Sequence, residues 1–96
     1  LRPGQLVLAQ TLEKVTLPGD LMGLVEGRSS WARLGVGIHI TAPKIDPGYS
    51  NYITLELTNH SEVAVELMAK DDQPCQLILF PITAKLGDSE VYGSKP

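Results

Sequence analysis

A single cysteine, Cys75, stands among 96 residues. One thiol cannot close an internal disulfide, and the chain reads as reduced and cytoplasmic. Basic charge is also short. Eight Lys and Arg face eleven Asp and Glu, for a net charge of -3. A general polyanion binder carries a basic excess, so nucleic acid is not an expected partner. A local basic pocket for one small anion remains compatible with that balance. No apolar run reaches the roughly 18–20 residues that a membrane span needs. No signal peptide opens the chain, because Leu1-Arg2-Pro3-Gly4 lacks charged and apolar regions in order. The start at Leu1, without an initiator methionine, reads as a fragment or a trimmed chain.

What is present has a period of two. A chain of this length is one domain, and it buries only about 60–70% of its unfolded surface. Oligomerisation would add to its stability. Gln5 to Leu12 is apolar and β-compatible, with Leu6, Leu8 and Leu12 on one face. Short strands are expected over Leu21–Glu26, Val36–Thr41, Tyr52–Thr58, Glu62–Met68 and Gln76–Ile82. Tyr52–Thr58 alternates strictly. It sets Ile53, Leu55 and Leu57 on one face and Thr54, Glu56 and Thr58 on the other. Turns fall at Pro18-Gly19-Asp20, Pro47-Gly48 and Lys70-Asp71-Asp72. One helical turn is expected over Trp31–Leu34, with Ser30 as its N-cap and Gly35 as its stop. The pattern predicts an all-β sandwich or barrel over residues 1–82, followed by a polar tail over 83–96.

Four groups carry chemical potential. Arg28-Ser29-Ser30 joins a guanidinium, two hydroxyls and the free N–H groups of a turn, which suits a phosphate. Taken alone, the triplet is more simply a serine-capped turn with an exposed arginine. Arg33, as an isolated residue, is a surface charge or half of an ion pair. Ile45-Asp46-Pro47-Gly48-Tyr49 is a tight turn whatever the function. Whether Asp46 and Tyr49 also face a ligand is left open by these residues alone, although a tyrosine beside a turn can stack on a sugar or base. Glu56 is an ordinary exposed acid if its face meets solvent. If the face lines a closed site, desolvation raises its pKa toward a range useful for moving protons.

Other chemistries lack their parts. Pro74-Cys75 is followed by Gln76-Leu77-Ile78 without a second cysteine, so the zinc deaminase signature is incomplete. His39 and His60 are too distant in sequence to form a local ligand pair, and no protein-bound metal site is expected. Neither Ser29 nor Ser30 lies in Gly-x-Ser-x-Gly.

Three segments in this order carry a specific pattern. They are TLEKVTLPGDLMGLVEGRSSWARLG, HITAPKIDPGYSNYITLELTN and QPCQLILF. From Leu1 to about Pro81 the chain resembles the dCTP deaminase branch of the dUTPase-like superfamily. The resemblance implies a distorted β-barrel, jelly-roll-like, and a homotrimer with active sites between subunits. It implies hydrolytic deamination of dCTP to dUTP and ammonia, supplying dUTP for thymidylate synthesis. It implies magnesium bound through the triphosphate and no protein-bound zinc. Glu56 matches the family's catalytic glutamate. Ser29 and Arg33 match residues that position and polarise the attacking water. Arg28, Ser29 and Ser30 match the phosphate-binding segment. Ala42 lies beside the base, Asp46 and Tyr49 lie in the sugar and base loop, and Gln76 matches a pocket position near the nucleotide.

Two neighbouring functions stay open. Asp46 fills the position of the dUTPase aspartate that activates water toward the α-phosphate. A dUTP diphosphatase, or an enzyme performing both reactions, is therefore an alternative. Glu56 and the Arg33 of Ser-x-Ala-Arg favour the deaminase. A non-catalytic trimeric nucleotide-binding module is a third reading. The chain departs from the family pattern at Asn51, where glycine is common. It also lacks the family's upstream segment, and it ends about where a C-terminal lid begins.

Overall fold

A computed structural model describes residues 1–82. The expected polar tail over 83–96 lies outside the described residues. Six strands and one helical turn follow in the order β1 (Leu6–Thr16), β2 (Leu21–Gly27), α1 (Ser29–Ala32), β3 (Val36–Gly37), β4 (Lys44–Ile45), β5 (Ser50–Asn59) and β6 (Cys75–Pro81). They form two three-stranded antiparallel sheets, ordered β1-β5-β3 and β4-β2-β6. The core joins them. Ile53 and Leu55 of β5 meet Val25 of β2, Ile45 of β4, and Leu17 and Ile38 from the connections.

The β5 alternation is realised as the sequence suggests. Ile53 and Leu55 are buried and Leu57 packs against them, while Glu56 stands on the opposite face. On β1 the leucine face turns outward. Leu6, Leu8 and Leu12 are 51%, 69% and 61% exposed. Register decides this. Ala9 pairs with Leu55 and Leu8 with Glu56, so the inward positions of β1 go to smaller residues. A nearly continuous apolar run gives no alternation from which to choose a face.

Between Gln10 and Lys14 the β1–β5 register shifts. Thr11 occupies the irregularity, where its hydroxyl oxygen accepts the Ile53 N–H at 3.0 Å and the hydroxyl donates to Glu13 O at 2.8 Å. A side chain thus replaces a missing ladder bond, as a bulge requires.

Three further elements differ from expectation. Glu62–Met68 is not a strand, although Val63, Val65 and Leu67 alternate. Its Val63 carbonyl is taken by the Asn59 side chain instead of a ladder. Val36–Thr41 pairs only over Val36–Gly37. Beyond that the chain bends, and Lys44–Ile45 pairs with β2 as a short strand absent from the sequence reading. The helical turn begins at Ser29, not Trp31, and its N-cap is Arg28, with no side-chain cap bond. Trp31 N–H and Ala32 N–H both donate to Arg28 O, so the turn closes directly after the β2–β6 ladder ends at Gly27. Asn51 lies in the β5 ladder opposite Val15. It needs no positive φ, since Lys70 is the one non-glycine residue with φ above zero among the described residues.

Gly35 ends the turn at φ +91° and is the stop that the sequence suggests. A Cβ there would lie 2.8 Å from the Ser61 backbone nitrogen. Gly35→Ala is expected to cost about 2–3 kcal/mol, combining left-handed strain with a backbone clash. Urea unfolding followed by tryptophan fluorescence measures it. A loss below about 0.5 kcal/mol would show that the 35/61 approach is not tight.

Candidate functional site

The Arg28-Ser29-Ser30 segment leaves the end of β2 where β6 holds it. Arg28 N–H donates to Pro74 O at 3.0 Å. The guanidinium Nη1 donates to the Gln73 backbone and side-chain oxygens at 3.4 and 3.3 Å. Gln76 sits opposite Glu26 in the ladder, and its Nε2 donates to Gly27 O at 3.1 Å. Ser29 and Ser30 are exposed at the opening of α1, ahead of its first backbone bond. Arg28, Ser29, Ser30 and Gln76 therefore form one cluster. Its hydroxyls and guanidinium are open to solvent and suited to an anion.

Glu56 forms a second cluster. It is half-buried in β5, and its position is fixed twice by one neighbouring segment. Its backbone N–H donates to Ile38 O at 3.0 Å, and its Oε1 accepts the Ile40 N–H at 3.2 Å. Between those contacts His39 turns the other way, and its Nε2 lies 2.5 Å from Oε1 of Glu26. Leu8 is directly across from Glu56 on the same outer face. A carboxylate held by one backbone donor, with its other oxygen uncommitted among the described residues, can accept a proton from a bound water.

The remaining expected residues lie apart. Arg33 is the C-cap of α1, exposed, and in no ion pair among the described residues. Neither it nor Ser29 bonds to Glu56 within one chain. Ala42 is exposed in the bend before β4. Asp46 is half-exposed and pairs with Lys44 Nζ at 3.4 Å. Tyr49 follows the Pro47-Gly48 turn, closed by its N–H to Asp46 O at 3.1 Å. Its hydroxyl donates to Tyr52 O, and its ring packs against the core. Gly48 supplies the positive φ, at +85°, that this turn demands.

Sequence reasoning weighed His39 only as a metal ligand and did not weigh Glu26 or Gln73. Glu26 immediately precedes Gly-Arg-Ser-Ser, which was the available signal. His39 gives none locally, because its partner is 13 residues away in β2.

A cavity of about 540 Å³ opens elsewhere, between the inner face of β1 and β5 and the 67–75 segment. Leu55, Leu57, Leu67 and Cys75 line it, and none of the expected site residues does. Burial lifts the Cys75 thiol above its ordinary range, and the charge of Glu13 adds to that shift. The thiolate is the reactive form. Iodoacetamide labelling of the folded chain at pH 8 is accordingly expected to run about tenfold slower than in urea. Equal rates in the two states would contradict the shielding.

Among the described residues no helix is long and apolar enough to cross a membrane. Comparison with known proteins agrees with the fold. The dCTP deaminase-like family model matches residues 1–82. The solved native dUTPase of EIAV superposes with a TM-score of 0.74 at 25% identity, covering 91% of this chain and 70% of that one. The dUTPase-like jelly roll is thus the fold. With most of its length matched, the chain belongs to the dCTP deaminase-like family, on the dUTPase-like scaffold of nucleotide-metabolising enzymes.

Proposed function

We propose that the protein hydrolyses dCTP, as its magnesium complex, to dUTP and ammonia. The observation that carries this reading is Glu56, a half-buried carboxylate anchored by the Ile40 N–H on a face free of the core. Cytosine C4 is a weak electrophile and water a weak nucleophile. Glu56 takes a proton from water as the oxygen bonds to C4. It passes that proton to N3, then moves the second proton from the new C4 hydroxyl to the amine, so that C4=O forms as the C4–N bond breaks and ammonia leaves. Ser29 and Arg33 hold the water and offset developing charge, as preorganised donors do. Arg28, Ser29 and Ser30 bind phosphate, and that remote binding energy fixes the base over the water. Ala42 borders the base, Asp46 and Tyr49 the sugar, and Gln76 supports the phosphate segment through Gly27.

Ser29 and Arg33 do not reach Glu56 in one chain, which supports a homotrimer whose sites are completed between copies. Exposed Leu6 and Leu8 beside Glu56, and Leu77 to Phe80 along β6, supply apolar surface for such contacts.

A dUTP diphosphatase is the second reading. It is favoured by the half-exposed Asp46 carboxylate and by the likeness to a dUTPase. Incubation with magnesium and either dCTP or dUTP, following ammonia and pyrophosphate together, separates the readings. Ammonia from dCTP is the expected result. Pyrophosphate from dUTP alone would assign the diphosphatase, and binding without either product a non-catalytic module.

A further inference from the structure

We propose that Glu26 and His39 form a positioning pair that sets the Glu56 carboxylate through the backbone of Ile40. The inference rests on the deaminase reading of Glu56 for its kinetic consequence, though not for its structural one. The 38–40 segment leaves the β3 ladder after Gly37, so no run of strand pairing holds it in register. Instead Ile38 O takes the Glu56 N–H, Ile40 N–H gives to Glu56 Oε1, and His39 between them reaches Glu26. The three contacts span two sheets. Glu26 belongs to β2 in one sheet and Glu56 to β5 in the other.

The tautomer follows from satisfaction of the ring. His39 Nδ1 is buried without a hydrogen-bond partner among the described residues. Placing the proton on Nε2 leaves no buried N–H orphaned and lets the ring donate to the Glu26 carboxylate. That bond fixes the imidazole, and the imidazole fixes the peptide planes on both sides of it. Without it the bend loses its tie to β2. The Ile40 N–H is then free to swing from Glu56, whose carboxylate gains rotamers that do not face the water. Glu26 is also the residue before Gly27-Arg28, so one pair ties the acid to the strand that delivers the phosphate-binding segment.

Two variants and two readouts test this. In His39→Leu and in Glu26→Ala, kcat for ammonia release is expected to fall about 10- to 100-fold, the scale of a misplaced group. KM should stay within about threefold, because the phosphate contacts remain. His39→Gln, which keeps a donor near the Nε2 position, should recover most of kcat. Glu26 is nearly half-exposed, so its alanine variant preserves the fold if the His39 variant does not. The second readout needs no turnover. Hydrogen exchange of the Ile40 amide, followed by NMR, should speed at least about tenfold in both variants.

Unchanged Ile40 exchange in a folded variant overturns the pair. So does a His39→Gln protein as impaired as His39→Leu. If the wild-type protein releases no ammonia from dCTP, the deaminase reading fails, and Ile40 exchange alone decides whether the pair positions Glu56.

Discussion

Glu56→Gln is expected to lower ammonia release from dCTP by about 10³-fold, within the range for losing a general base. Glutamine matches glutamate in length and shape. Its Oε1 still accepts the Ile40 N–H that holds Glu56 at 3.2 Å, so geometry is kept while proton affinity is lost. The proposed phosphate cluster at Arg28, Ser29 and Ser30 lies at the start of α1, apart from β5. Binding of dCTP, measured by calorimetry, should therefore change by less than about fivefold. Glu56→Asp separates position from proton affinity. It keeps the acid but withdraws it by about one methylene from the Ile40 donor, and should retain more activity than the glutamine variant. Ammonia release at the wild-type rate from Glu56→Gln would falsify the proton-shuttle mechanism outright.

The largest expected effect on stability lies at Asn59. Its side chain is the most deeply buried polar group among the described residues, at 1% exposure. Nδ2 donates to Leu1 O at 3.0 Å and Val63 O at 2.8 Å. Oδ1 accepts Ser61 N–H at 2.9 Å and the Ser61 hydroxyl at 2.7 Å. All four hydrogen-bonding positions of the amide are thus used. Its backbone carbonyl also takes the Gly4 N–H. Asn59→Ala leaves several buried groups without partners and opens a cavity. The expected cost is about 4 kcal/mol, at the upper end for single substitutions. For a domain of this size that lowers Tm by roughly 15–30 °C. Asn59→Asp keeps the shape but turns an acceptor toward the Leu1 and Val63 carbonyls, so it should rescue little. Thermal unfolding by circular dichroism gives both values. A fall of less than about 5 °C in Asn59→Ala would show that water substitutes for the amide.

The site was legible unevenly, and the pattern has physical causes. Glu56 stood out because Tyr52–Thr58 alternates without exception, and strict alternation assigns faces unaided. Arg28-Ser29-Ser30 stood out because donors crowd a strand end. The capping role given to Ser30 failed because Arg28 O closes the turn first. The strand expected over Glu62–Met68 failed because the amide of Asn59 claims Val63 O. Period alone does not supply a ladder partner. Glu26 and His39 escaped notice because a hydrogen bond between a strand and a distant bend leaves no local spacing signal.

The sequence by itself determined the all-β class, the turns at Pro18-Gly19 and Pro47-Gly48, the stop at Gly35 and the inward face of β5. Each follows from a local rule, either alternation of side chains or the backbone freedom of one residue. Only the tertiary structure decided which face of β1 meets the core and what holds the carboxylate of Glu56. Both depend on register across the β1–β5 pair and on a bend that brings Ile38 to Ile40 against β5. Register is set by the sum of contacts along two strands, and no single residue or short motif contains it.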